Sequence, residues 1–239
     1  MKKFIQTLTL LAAFLLPWAT NAQVSQYLFS TGVDTTQWIT LSDNAWDTTT
    51  TTASGDSFTS GVRNIGFSFN FAGTAYTQFS MNSDGCLRFG SLNVTTSGYS
   101  IPFGSTNISA NVPKIIGIGR DGRMTGTGNA NLGCYLKHET VGTAGSRILV
   151  AEFSVATYLT PYAVQKWQVQ LFEGTDMIKI VYGDAPANNA TAAYQIGMAV
   201  SANDVLTINP STNTVSYGLA ATGTAPSTAW PVKRRFYQF

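Results

Sequence analysis

The feature that most constrains this chain is strict alternation. In Gly66-Phe67-Ser68-Phe69-Asn70-Phe71, aromatic and small or polar residues change places at every step. A period of two sets all three phenylalanines on one side of an extended backbone, which is a strand with one dry face. Asn82-Ser83-Asp84-Gly85 then marks a hairpin, because Asp and Gly tolerate the positive φ of tight turns. Between these, Phe71 to Tyr76 reads as a turn, and Thr77 to Met81 resumes the strand with Phe79 and Met81 on one face. Cys86 to Phe89 returns with Leu87 and Phe89 inward.

The same grammar continues downstream. Lys114–Gly119, Leu132–His138, Arg147–Val155, Lys166–Phe172, Met177–Tyr182, Tyr194–Val200 and Arg235–Phe239 all read as strands. No segment combines helix caps with a sustained 3.6-residue period. Ser42 to Ser57, with its threonine run, and the glycine-rich stretch Arg120 to Gly133 read as loops. The pattern predicts an all-β protein, a single antiparallel β-sandwich or jelly-roll-like domain over residues 23–239.

Residues 1–22 read as a cleaved signal peptide. Lys2 and Lys3 form its basic start, Phe4 to Trp18 its apolar stretch, and Thr20-Asn21-Ala22 its small-residue cleavage site. No later apolar stretch approaches the roughly 20 residues a membrane-spanning helix needs. The expected location is therefore exported: secreted, periplasmic or at the cell surface.

Export changes the charge argument. The chain has 14 Lys and Arg against 12 Asp and Glu, and the signal removes two of the bases. Three more, Lys233, Arg234 and Arg235, sit at the C-terminus, so the body carries nine bases against twelve acids. Nucleic-acid binding by counterion release needs clustered bases, and the body has none, which excludes a nucleic-acid partner.

Chemistry is sparsely provided. His138 is the single histidine, and it reads as the surface end of a strand rather than a metal ligand or triad base. Gly117-Ile118-Gly119-Arg120-Asp121-Gly122 has dinucleotide-loop spacing, but no helix follows to receive a phosphate. Glycoside hydrolysis requires two facing carboxylates. Glu139, Glu152 and Glu173 are the acids considered, and they read as solvated strand faces and turns. No catalytic residues, resident metal or cofactor are expected. Asp121, together with Asp84 and Asp176, is the calcium candidate, although the alternating acids of a calcium loop are absent.

Two readings of Cys86 and Cys134 stay open. In an oxidising compartment they can bridge, closing about 49 residues for about 4 kcal/mol of loop entropy. Alternatively they are two buried thiols acting as small apolar residues. Aromatic residues in predicted loops supply the ligand candidates. Trp38 and Trp46 flank the threonine run, and Tyr158 and Tyr162 bracket Thr160-Pro161. Such rings stack on sugars or anchor protein partners, and Trp46, Tyr158 and Tyr162 are expected to line a binding edge.

From Asn64 onward the chain resembles the nidogen-like β-sandwich modules near the N-termini of secreted bacterial proteins, frequent among type IX secretion cargo of the Bacteroidetes. The resemblance is carried by Ile65-Gly66-Phe67-Ser68-Phe69-Asn70-Phe71, Gly73-Thr74-Ala75-Tyr76-Thr77 and Met81-Asn82-Ser83-Asp84-Gly85 through Phe89-Gly90. It continues in Ser146 to Phe153 and in Trp167-Gln168-Val169-Gln170-Leu171-Phe172-Glu173. Where such modules often carry a Trp-Asp-Asp-like stretch, this chain has Arg120-Asp121-Gly122-Arg123. The resemblance implies a secreted or cell-surface module for adhesion, binding glycans or proteins without a reaction. A structural subunit is the alternative. It would assemble through edge strands or through the tail Lys233-Arg234-Arg235-Phe236-Tyr237-Gln238-Phe239. A glycoside hydrolase-like enzyme is the third reading.

Overall fold

A computed structural model describes residues 23–49, 58–96, 102–124, 132–157, 163–183, 193–218, 227 and 230–239. The expected signal peptide lies outside the described residues, as do Tyr158 and Tyr162.

The alternating segment is the centre of a nine-residue strand, β3 (Arg63–Phe71), in which Ile65, Phe67, Phe69 and Phe71 are buried and the residues between them exposed. It edges a seven-stranded antiparallel sheet. Across from it the sheet runs through β4 (Thr74–Met81), β5 (Cys86–Phe89), β6 (Lys114–Gly119), β12 (Gln195–Ala199) and β13 (Val205–Asn209) to β14 (Thr214–Tyr217). The second sheet follows the order β1 (Ser30–Val33), β15 (Arg235–Gln238), β11 (Ile178–Tyr182), β10 (Val164–Phe172), β9 (Ile148–Thr157), β8 (Tyr135–Val141) and β2 (Trp46–Thr49). An eighth strand, the short β7 (Gly122–Arg123), also pairs with β9. Helical structure among the described residues is confined to two 3-10 turns, Val24–Gln26 and Thr35–Gln37.

The sheets pack face to face as a β-sandwich. Phe69, Phe71, Phe79, Met81, Leu87 and Phe89 of one meet Leu149, Phe153, Trp167, Leu171, Ile178 and Ile180 of the other. Burying each such side chain contributes about 1.5–3 kcal/mol. Trp167 stacks on Phe153 with centroids 4.8 Å apart, and its indole occupies the space beside Gly117. A Cβ at Gly117 would stand 2.3 Å from the indole, so that position must be glycine.

Several expectations need correction. The turn after β3 is only Ala72-Gly73, at φ 46° and 81°, so β4 already begins at Thr74. A two-residue turn with both φ positive matches the twist of a hairpin. Trp46–Thr49 is not loop but an edge strand on β8, and Gly122–Arg123 pairs with β9 inside the supposed glycine-rich loop. The strands β1, β13 and β14 carry little alternation and were not expected. The strand expected at Arg235–Phe239 is present as β15, and it is no open edge, being paired on one side with β1 and on the other with β11.

Both outer sheet faces are roofed. On the seven-stranded sheet, Val94, Phe103 and Ile108 cover Cys86, Ile116, Ala199 and Val205. The Lys114 ammonium, on a residue only 2% exposed, ends in this layer. It donates to the carbonyls of Pro102 (2.8 Å), Asn107 (3.2 Å) and Ala110 (2.9 Å). On the eight-stranded sheet the roof is residues 34–45, with Ile39, Leu41 and Ala45 over Val150.

The cysteines are both free and buried. Cys86 belongs to the roofed outer layer and Cys134 to the inter-sheet core, so they sit in separate apolar clusters. Burial pushes the thiols up, to about 12 for Cys86 and about 11 for Cys134.

Candidate functional site

Alternation on β8, β9 and β10 sends every second side chain out of the eight-stranded sheet. On β10, Trp167, Val169 and Leu171 enter the core while Gln168 and Gln170 face the roof. Glutamines there are unusual for a covered face, and each is used. Gln168 brackets Ile39 like a neighbouring strand, donating to its carbonyl at 2.6 Å and accepting from its amide at 3.2 Å. Gln170 donates to the Gln37 carbonyl at 2.8 Å and to Gln168 Oε1 at 2.9 Å. Lys179 Nζ donates to Gln37 Oε1 at 2.7 Å. Asp34 receives the Thr36 amide and the Gln37 side chain, and these bonds lower its carboxyl pKa.

This ladder ends at Glu152, which is 6% exposed rather than solvated. Its carboxylate accepts the Tyr135 hydroxyl at 2.5 Å and Gln168 Nε2 at 2.7 Å. Burial, with the adjoining carboxylate second, raises the Tyr135 phenol well above its ordinary value, so it stays a donor. Beyond Glu152 the roof lifts and leaves a cleft of about 180 Å³ lined by Trp38, Tyr135, Glu152, Lys166, Gly183 and Arg234. The Trp38 ring lies on Gly183, where a Cβ would come within 3.0 Å of it. Arg234 sits 5.1 Å from the centroid of Trp38, and Lys166 Nζ lies 5.4 Å from that of Tyr135. Two ring faces, a hydrogen-bonded carboxylate and two cations thus converge on one opening.

A second cleft, of about 220 Å³, lies at the β3–β4 turn between Gln23, Tyr27, Asn70, Gly73 and Asp176. Its carboxylate is already occupied, with Asp176 accepting both the amide (3.0 Å) and the side chain (2.9 Å) of Asn70.

Of the expected site residues, the structure places Trp46 on the backbone of β2, across from Lys137. Tyr158 and Tyr162 cannot be placed because they fall outside the described residues. Trp38, noted beside the threonine run, does line the cleft. Of the calcium candidates Asp176 lies apart, whereas Asp84 is bonded to the residues on either side of Asp121. Asp176 serves Asn70, while Asp84, at the opposite end of β4, is 4% exposed and accepts the Gly122 amide at 3.2 Å. Asp121 adjoins Arg120, which is buried near Trp230 and whose pKa burial lowers to about 10. Among the described residues no three His, Cys, Asp or Glu side chains group as metal ligands. His138 is mid-strand in β8, not at its end, and meets the Phe79 ring edge-on at 5.4 Å. Glu173 forms an ion pair with Arg147 at 2.6 Å, and Glu139 accepts the Ser42 amide at 2.7 Å. The Gly117–Gly122 dinucleotide spacing lies on β6 and β7, with no helix between them.

Tyr135, Lys166, Gly183 and Arg234 carry no motif. The nearest signal was Glu152, an acid alone on an otherwise apolar strand, together with the outward glutamines of β10.

Fold and cleft define an all-β sandwich module with a small polar opening on one sheet face. The sequence profile of the NIDO-related family matches residues 26–239, and the chain belongs to that family. Membership points to an extracellular, non-catalytic module. Comparison with curated proteins and with solved structures returns no match. No helix among the described residues is long and apolar enough to cross a membrane.

Proposed function

We propose that this chain is a secreted or cell-surface binding module that holds a glycan in the Trp38–Tyr135 cleft and performs no reaction on it. The carrying observation is the packing of Trp38 against Gly183, beside Tyr135 and the hydrogen-bonded Glu152. Sugar rings have apolar faces and hydroxyl edges, and an aromatic wall next to fixed polar groups complements both. Retaining or inverting hydrolysis uses two carboxylates. Among the described lining residues Glu152 is the single acid, and both its oxygens already accept hydrogen bonds. The signal-like residues 1–22 and the likeness to type IX secretion cargo support export to the cell surface.

A glycan array probed with the purified chain and with Trp38→Ala tests this reading. Specific binding that disappears in the variant is the expected result. Binding unchanged by Trp38→Ala would remove the cleft from the proposal.

Assembly through an edge is a second reading, favoured by Val33 and Val232, exposed by 56% and 54% beside the β1–β15 pair. A concentration-independent monomer in light scattering would end it.

A further inference from the structure

Resting on the binding reading above, we propose that the ligand of this cleft is an anionic sugar, whose acid group is held between Lys166 and Arg234. The two cations line the same cleft, each over an aromatic ring, and neither forms an ion pair among the described residues. The carboxylate facing them is Glu152, which is already bonded by Tyr135 and Gln168. The acceptor the cations lack is therefore one a ligand can bring. A cation over a ring face keeps only a weak hold, whereas hydrogen bonds to an ionised acceptor are about twice as strong as neutral ones.

Arg234 strengthens the case through its backbone. It is held at φ +65°, a region where side-chained residues are strained and glycine or asparagine is the usual occupant. The turn is pinned on both sides, with the Arg234 amide donating to the Tyr182 carbonyl at 2.8 Å and its own carbonyl accepting the Asp34 amide at 3.0 Å. A long cation kept in such a position is aimed, and here it is aimed over Trp38. The basic tail triplet thereby divides. Arg234 turns to the cleft, while Arg235 reaches Thr31 Oγ1 at 3.4 Å. An acidic peptide would bring the same charge, but an opening of about 180 Å³ is small for an extended strand.

The test is titration of the full chain with polygalacturonate, dextran sulfate, dextran and poly-glutamate, followed by tryptophan fluorescence. Lys166→Met and Arg234→Asn are the variants, since asparagine accepts the positive φ, and thermal melts confirm that both fold. The expected result is binding of one or both anionic polymers, weakened about 10- to 100-fold by either variant and weakened further by added salt. Preference for polygalacturonate identifies a carboxylate as the recognised group, and preference for dextran sulfate a sulfate. Equal affinity for neutral dextran, unchanged in the variants, overturns the anionic assignment while leaving glycan binding intact. Binding of poly-glutamate alone overturns the sugar. No binding to any glycan removes the binding reading itself.

Discussion

The two outer faces of the sandwich are both roofed by a chain segment, and they are built from opposite materials. Over the seven-stranded sheet the roof is apolar at its centre: Val94, Phe103 and Ile108 cover it, Lys114 is consumed by three carbonyls, and Arg88 donates to the Asn93 carbonyl at its rim. Over the eight-stranded sheet only Ile39, Leu41 and Ala45 are apolar, and the rest of the strap hangs on Gln168, Gln170 and Lys179. Among the described residues the apolar roof packs around a lysine only 2% exposed. The polar roof leaves a cleft beside Trp38. Hydrogen bonds to glutamine exchange with water at little net gain, so such a strap can end in the open, whereas an apolar lid must be complete.

The largest effect expected from breaking this contrast is at Lys114. Lys114→Met leaves the carbonyls of Pro102, Asn107 and Ala110 buried without their donor, and should cost about 2–4 kcal/mol in urea unfolding. Gln168→Ala on the other face removes the bonds to Ile39 and Glu152, while Glu152 keeps its bond from Tyr135. We expect about 1–2 kcal/mol, with faster hydrogen exchange confined to the strap.

A pH series sharpens the comparison further. Burial lowers the Lys114 ammonium to about 8, below its unfolded value, with the Cys86 charge opposing the shift. Below pH 8 both states hold the proton and the cost of burying the charge is fully present. Between pH 8 and the unfolded pKa the unfolded chain binds more protons, so stability from this group rises with pH. The gradient is at most about 1.4 kcal/mol per pH unit, and it should be absent in Lys114→Met. Smallest in stability is Gly183→Ala, whose Cβ would displace the Trp38 ring and press on the Lys166 stem, each at 3.0 Å. The melt should move by no more than about 0.5 kcal/mol while glycan affinity falls, because the ring is moved and not removed. If the melt falls instead, Trp38 belongs to the roof rather than to the site.

Legibility followed alternation. β3, β9, β10 and β11 have an apolar residue at every second place, and their inward faces are those expected. β2 and β14 are short edge strands rich in threonine and serine, whose pairing is set by β8 and β13 and not by a dry face of their own. Asn82–Gly85 was legible as a turn because its chemistry is local. The burial of Glu152 was not, since an acid on a strand looks the same whether water or a strap lies above it. The docking of the tail was hidden for the same reason: Arg235–Phe239 read as a strand, but its partners, β1 and β11, are remote in the chain.

What the sequence determined by itself is the all-strand body, the side of each long strand that enters the core, and the tight turns that demand glycine. These depend on neighbours two to four residues apart, and the backbone's period of two reports them directly. Only the tertiary structure decided that Trp38 lies on Gly183, that Arg234 reaches over that ring, and that the outward glutamines of β10 carry a strap and not solvent. Residues 38, 135, 152, 166, 183 and 234 meet because two layers fold over one another, and no periodicity along a chain records which distant segment will come to rest on an open sheet face.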